Sequence, residues 1–189
     1  MRPRTCMTIG FAVLVGLTMA CERTTAPVMS GPFAARQPAC DPQKEECQFD
    51  GRFTGGAKNI TAGGVSITKG FTLHCDIVLS NNLEINWTGG NNWHTDKPFA
   101  SAVCTDDPTI SPEPPPAPFD TFTGQGTGTL NGVPGSVAKI ILKDGGEPGG
   151  VNDRVQVQIY DAGGALVLDL PLSAITGGNI QAHYDQPHR

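Results

Sequence analysis

Charge is scarce in this chain. Asp, Glu, Lys and Arg make up 16% of its 189 residues, too few to clothe long solvated helices. Long apolar runs are missing as well. The uncharged stretch Met7 to Ala20 has 14 residues, short of the roughly 20 that an apolar helix needs to cross a bilayer. Catalytic signatures are absent: there is no G-x-S-x-G elbow, H-E-x-x-H helix, Walker loop or G-x-G-x-x-G fingerprint. No CxxC or HxxxH element is present, which argues against a structural zinc site. Turn formers, by contrast, are plentiful. Gly and Pro supply 40 residues, interleaved with alternating apolar positions, a pattern of short strands and many turns.

The first twenty residues read as an export signal. Arg2 and Arg4 form a basic start, and Met7 to Ala20 suits the apolar region of a signal peptide. The stretch ends Leu17-Thr18-Met19-Ala20-Cys21. A small residue directly before Cys resembles the bacterial lipobox, although Leu17 stands one place further from the Cys than usual. Acylation at Cys21 is therefore expected, with ordinary cleavage after Ala20 as the alternative. Setting aside Cys6 and Cys21 leaves Cys40, Cys47, Cys75 and Cys104, an even number that suits an oxidising compartment. Three pairings are possible, and Cys40–Cys47 with Cys75–Cys104 is favoured. Beyond residue 20 the chain holds 11 basic and 18 acidic residues, a net charge of −7. That balance speaks against nucleic acid and against charge-driven binding to an anionic membrane.

The expected organisation is a signal at 1–20, a Pro-rich tether at 21–47 and one domain at 48–189. Within the domain, period-two alternation recurs at Phe71-Leu73-Cys75, Leu83-Ile85-Trp87, Ala138-Ile140-Leu142 and Val155-Val157-Ile159. Alternation of this kind buries one face of a strand and wets the other. The expectation is an all-β, antiparallel β-sandwich of nine to ten strands, with a jelly roll as the candidate arrangement. The Pro-rich stretch 111–118 is read as a stiff connection.

Seven strings in order carry a family resemblance: GRFTGG, FTLHCD, NNLEINW, CTDDP, FDTFTGQGTGTLNG, DGGEPGGVNDRVQV and GGNIQAH. Together they resemble a bacterial extracellular domain family labelled post-COAP, over about Gln48 to His183. The resemblance implies an exported, β-rich accessory domain with no assigned catalysis.

Three constellations merit attention. The loop from Asp144 to Asp153 offers Asp144, Glu147, Asn152 and Asp153 as hard oxygen ligands for calcium, which needs six to eight oxygens; the plainer reading is a turn between strands. In Gly89 to Asp96, read as a loop, an exposed Trp93 is a candidate platform for a sugar ring, with Asn91, Asn92 and Asp96 bonding hydroxyls. The alternative is that Trp93 folds back over the sheet. Trp87, on the face of Leu83 and Ile85, is assigned to the core. The pairs His74/Asp76 and His94/Asp96 would form a metal site only if their strands were neighbours. Asp106-Asp107 is an acidic pair of the kind common in turns. The expected function is a non-catalytic cell-envelope lipoprotein, membrane-anchored through lipid, that binds a polysaccharide or an envelope protein. A purely structural accessory domain and a hydrolase with an unrecognised carboxylate pair are the alternatives. No cofactor is required, calcium being the one candidate.

Overall fold

The computed structural model describes residues 39–40, 47–48, 51–110, 117–147 and 152–184. The signal segment, the acylation site Cys21, most of the tether and most of the Pro-rich connection lie outside the described residues. Every regular element described is a strand, and every pairing is antiparallel. No helix among the described residues is long and apolar enough to cross a membrane.

Two two-residue strands, β1 (Ala39–Cys40) and β2 (Cys47–Gln48), pair first. Their register sets Cys40 opposite Cys47; the side chains of both lie outside the described residues. The main sheet has ten strands: β3 (Gly51–Ile60), β4 (Ser66–His74), β5 (Asn82–Trp87), β6 (Asn91–Thr95), β7 (Ser101–Thr105), β8 (Thr121–Leu130), β9 (Val133–Lys143), β10 (Arg154–Tyr160), β11 (Leu166–Ala174) and β12 (Gly177–Tyr184). The order across it is β11-β10-β9-β8-β6-β5-β4-β3-β12, with β7 also paired to β8. β6 and β7 share one edge of β8: Trp93 to Thr95 face Leu130 to Gly128, and Ser101 to Thr105 face Gln125 to Thr121. The result is one continuous sheet curled into a half-barrel.

The alternation expected from the sequence sets the inner face. Phe53, Ile67, Leu73, Leu83, Ile85, Ile140, Leu142, Val155, Val157, Ile159 and Ile180 are all buried. Phe53 on β3 meets Phe119 at 5.7 Å and Phe122 at 5.9 Å between ring centroids. Four pairings separate β3 from β8 within the sheet, so these rings touch across the interior. The turn from β8 to β9 is Asn131-Gly132, with φ of 49° and 81°. Left-handed φ at both positions matches the right-handed twist of a two-residue hairpin, and Asn-Gly is the pair that tolerates it best. Pro171 lies in β11, an outer strand of the pairing order, where a missing N–H is tolerated.

Side chains of the β9–β10 connection reach β12, one end of the sheet. β12 pairs with β3 on one side only. On its other side the Ile180 N–H donates to Asp153 Oδ2 and the Ala182 N–H to Asp144 Oδ2, both at 2.8 Å. These carboxylates stand where the carbonyls of a neighbouring strand would stand.

Cys75 and Cys104 form a disulfide, with Cα atoms 5.4 Å apart and a sequence separation of 29, as the favoured pairing expects. A loop of that length is worth about 3 to 4 kcal/mol on the chain-entropy account. Reduction with free thiols verified should therefore lower the urea midpoint by that equivalent. An unchanged midpoint would mean the bond adds nothing beyond packing.

Candidate functional site

β5 turns Leu83 and Ile85 inward, so Glu84 and Asn86 must face outward. β6 turns Trp93 inward, so Asn92 and His94 face outward beside them. The register pairs Glu84 with His94 and Asn86 with Asn92. Four polar side chains thus share one exposed patch, and they bond to one another. Glu84 Oε1 accepts from Asn86 Nδ2 at 3.0 Å and from Asn92 Nδ2 at 3.3 Å. Asn92 Nδ2 also donates to Asn86 Oδ1 at 2.8 Å, and His94 Nδ1 lies 3.3 Å from Asn92 Oδ1.

The patch continues over the β8–β9 turn. Asn92 N–H donates to Asn131 Oδ1 at 2.8 Å, and Asn131 Nδ2 donates to Asn91 Oδ1 at 3.0 Å. Further along, Thr129 Oγ1 donates to Asp96 Oδ2 at 2.7 Å. The outward surface thus holds Asn92 and Asp96, with Asn91, in phase with Trp93, bonding at its rim to Thr88 O and Asn131. It is rich in amides and carboxylates, which both donate and accept, as hydroxyl-bearing ligands require.

Trp93 does not join them, and the expectation of a stacking platform is corrected here. Its residues form strand β6 instead of an open loop, and its side chain is 0% exposed. The cause lies in β8, whose inward positions Gly124, Gly126 and Gly128 carry no side chains. A Cβ on Gly128 would lie 2.5 Å from Trp93 Cζ2 and 2.6 Å from Cε2. The indole thus occupies the space left by a missing side chain. Phe99 lies likewise over Gly124 and Gly126. Trp93 Nε1 is buried without a hydrogen-bond partner. Trp87 is half-buried and packs against the core.

The calcium candidates serve as structural acceptors. Asp153 is fully buried; its Oδ1 accepts from Gly145 N–H at 3.1 Å and its Oδ2 from Ile180. Asp144 Oδ1 accepts from Gly146 N–H at 3.0 Å. Glu147 Oε1 accepts from Asn179 Nδ2 and Gln181 Nε2. Asn152 is exposed, and residues 148–151 lie outside the described residues. Among the described residues, no group of three or more His, Cys, Asp and Glu is placed to hold a metal ion.

The strands that carry the two His/Asp pairs are not neighbours, so the condition for a shared metal site is not met. His74 ends β4 and His94 lies on β6, with β5 between them. Asp76 Oδ1 instead caps its own turn by accepting from Val78 N–H. The acidic pair near residue 106 is also a turn device. Asp107 forms an ion pair with Lys143, and that contact holds its carboxyl below the usual carboxylate range. Asp120, buried behind it, accepts from Asp107 N–H and Thr121 Oγ1. Burial pushes the Asp120 carboxyl up.

One pair escaped the sequence reading. Lys69 is 4% exposed and Asn59 is 1% exposed, both on the inner face. The signal was present, because Lys69 stands in phase with Ile67, Phe71 and Leu73.

No protein-family profile, curated protein or solved structure matches the chain.

Proposed function

We propose that this chain is a non-catalytic, lipid-anchored module of a bacterial cell envelope, and that its outer β5–β6 surface binds polysaccharide. The observation that carries the reading is the exposed cluster Glu84, Asn86, Asn92 and His94, continued by Asn91, Asn131 and Asp96. Amides and carboxylates spaced along a sheet match the alternating donors and acceptors of a sugar chain. Export and acylation at Cys21 rest on the sequence of the first 21 residues. One acyl chain anchors only marginally, so stable attachment would rely on several. The likeness to the post-COAP family rests on the seven strings alone. Architecturally, the arcs β12-β3-β4-β5 and β8-β9-β10-β11 act in this reading as the two layers of a sandwich of jelly-roll type. Their contact through Phe53, Phe119 and Phe122 supports it.

A second reading, a structural accessory domain, is favoured by the cluster's internal bonding. Glu84 and Asn92 already satisfy one another, as they would in a patch that serves only the sheet. Retention of the purified chain on insoluble polysaccharides separates the two. Binding to one matrix is expected, with at least a tenfold loss in Glu84→Ala and Asn92→Ala and no change in melting temperature. A chain that passes every matrix unretained makes the structural reading the better one.

A further inference from the structure

Lys69 has an unusual partner for a buried lysine. An isolated ammonium is costly to bury, and interior lysines ordinarily find a carboxylate. Lys69 Nζ instead donates to a neutral acceptor, Asn59 Oδ1, at 2.7 Å. The far side of the same amide is fixed as well: Asn59 Nδ2 donates to Ala174 O at 2.9 Å and to Ser173 Oγ at 3.4 Å. An amine is thus held against a carboxamide that is pinned from both ends, on adjacent strands, with nine-tenths or more of each residue shielded from water.

We propose that Lys69 and Asn59 join covalently, through an isopeptide bond that the folded chain makes without a cofactor. The uncharged Nζ attacks Cγ of Asn59, and the carbonyl π pair moves onto Oδ1. A proton passes from Nζ to Nδ2, the two nitrogens being bonded to the same carbon in the adduct. The pair on Oδ1 returns, the Cγ–Nδ2 bond breaks, and ammonia departs. One C–N bond forms and one breaks, and nothing is oxidised or reduced. Three features on the page drive the step. Fixed proximity raises the effective concentration of the amine at the carbonyl. Burial lowers the Lys69 pKa to about 8, with no charged neighbour contributing, so a share of the amine is uncharged near neutrality. The product also removes a charge from the core and leaves a neutral amide in its place.

The test is the intact mass of the full chain made by cell-free synthesis, followed from the moment of folding. The expected result is a mass lower by one ammonia. Trypsin should no longer cut after Lys69, and a branched peptide should link Asn59 to Lys69. Lys69→Arg and Asn59→Ala should each lack the branched peptide and the ammonia loss that maps to it. Asn131-Gly132 is a second place from which ammonia can leave, by cyclisation onto its own backbone, so the peptide map decides the location. The reaction should run about tenfold faster at pH 9 than at pH 7, following the uncharged fraction of an amine titrating near 8. Full sequence mass with normal cleavage after Lys69 overturns the proposal, and so does a loss that maps only to Asn131.

Discussion

Asp153→Ala is expected to lower stability by about 3 to 5 kcal/mol, because it removes two hydrogen bonds to a carboxylate and strands the donors. The side chain is fully buried, and each oxygen has a backbone N–H: Gly145 on one and Ile180 on the other. The Ile180 N–H is itself buried and has no strand on that side to accept it. Asp153→Asn keeps one acceptor oxygen and turns the other into a donor facing a donor, so its loss should be smaller but still measurable. Asp144→Ala should fall between the two, since one of its oxygens holds Ala182 and the other only the turn at Gly146. Urea titration of the three variants gives the ordering. Since these oxygens already accept N–H groups, melting in calcium and in chelator should coincide. A calcium-dependent rise in melting temperature would return the loop to metal binding. An Asp153→Ala variant within about 0.5 kcal/mol of the parent, inside the range of an ordinary surface change, would show that β12 is held by something else.

Trp93→Ala should cost about 3 to 5 kcal/mol, the range for a large aromatic removed from a core. The ring is 0% exposed and fills the space over Gly128. Gly128→Ala attacks the same contact from below. Its new Cβ would lie 2.2 Å from His94 O as well as against the ring, so either the strand or the indole must move. Placed in a Trp93→Ala background, Gly128→Ala should cost less, because the ring is gone and only the carbonyl clash remains. The coupling in that double-mutant cycle measures the contact. Trp93→Phe should be milder than Trp93→Ala, since it keeps most of the apolar area and removes the unpartnered indole N–H. A Trp93→Ala variant as stable as the parent, but unable to bind polysaccharide, would restore the exposed-platform reading.

Strand identity was legible wherever apolar residues alternated. Phe71-Leu73-Cys75, Leu83-Ile85 and Val155-Val157-Ile159 fall on the inner face as their spacing requires. The Cys75–Cys104 bridge followed from the same logic, with each Cys in phase with buried neighbours. β6 was not legible, because a strand with one apolar residue among Asn, His and Thr has no alternation to detect. Its burial is dictated by β8, distant in sequence, where alternate glycines leave room for a ring from elsewhere. The roles of Asp144 and Asp153 were hidden for a similar reason. A carboxylate in a Gly-rich loop looks like a ligand donor or a turn former until the free edge of β12 is known to lie beside it. Of the surface proposed to bind polysaccharide, Asn91, Asn92 and Asp96 are singled out by the sequence; Glu84, Asn86 and Asn131 join them only through register and side-chain bonding.

The pairing of β3 with β12 also sets a timetable. Among the described strands β3 is one of the first to leave the ribosome and β12 the last, and Thr176, just before β12, stands 118 positions after its bonding partner Lys58. Until Gly177 to Tyr184 emerge, β3 has only β4 to hold it, and the carboxylates of Asp144 and Asp153 have no β12 amides to accept. Neither local hairpins nor the interior rings can complete the sheet before then. Contacts of such sequence separation form slowly, so the local hairpins form first and the β3–β12 pairing closes the sheet in a late event.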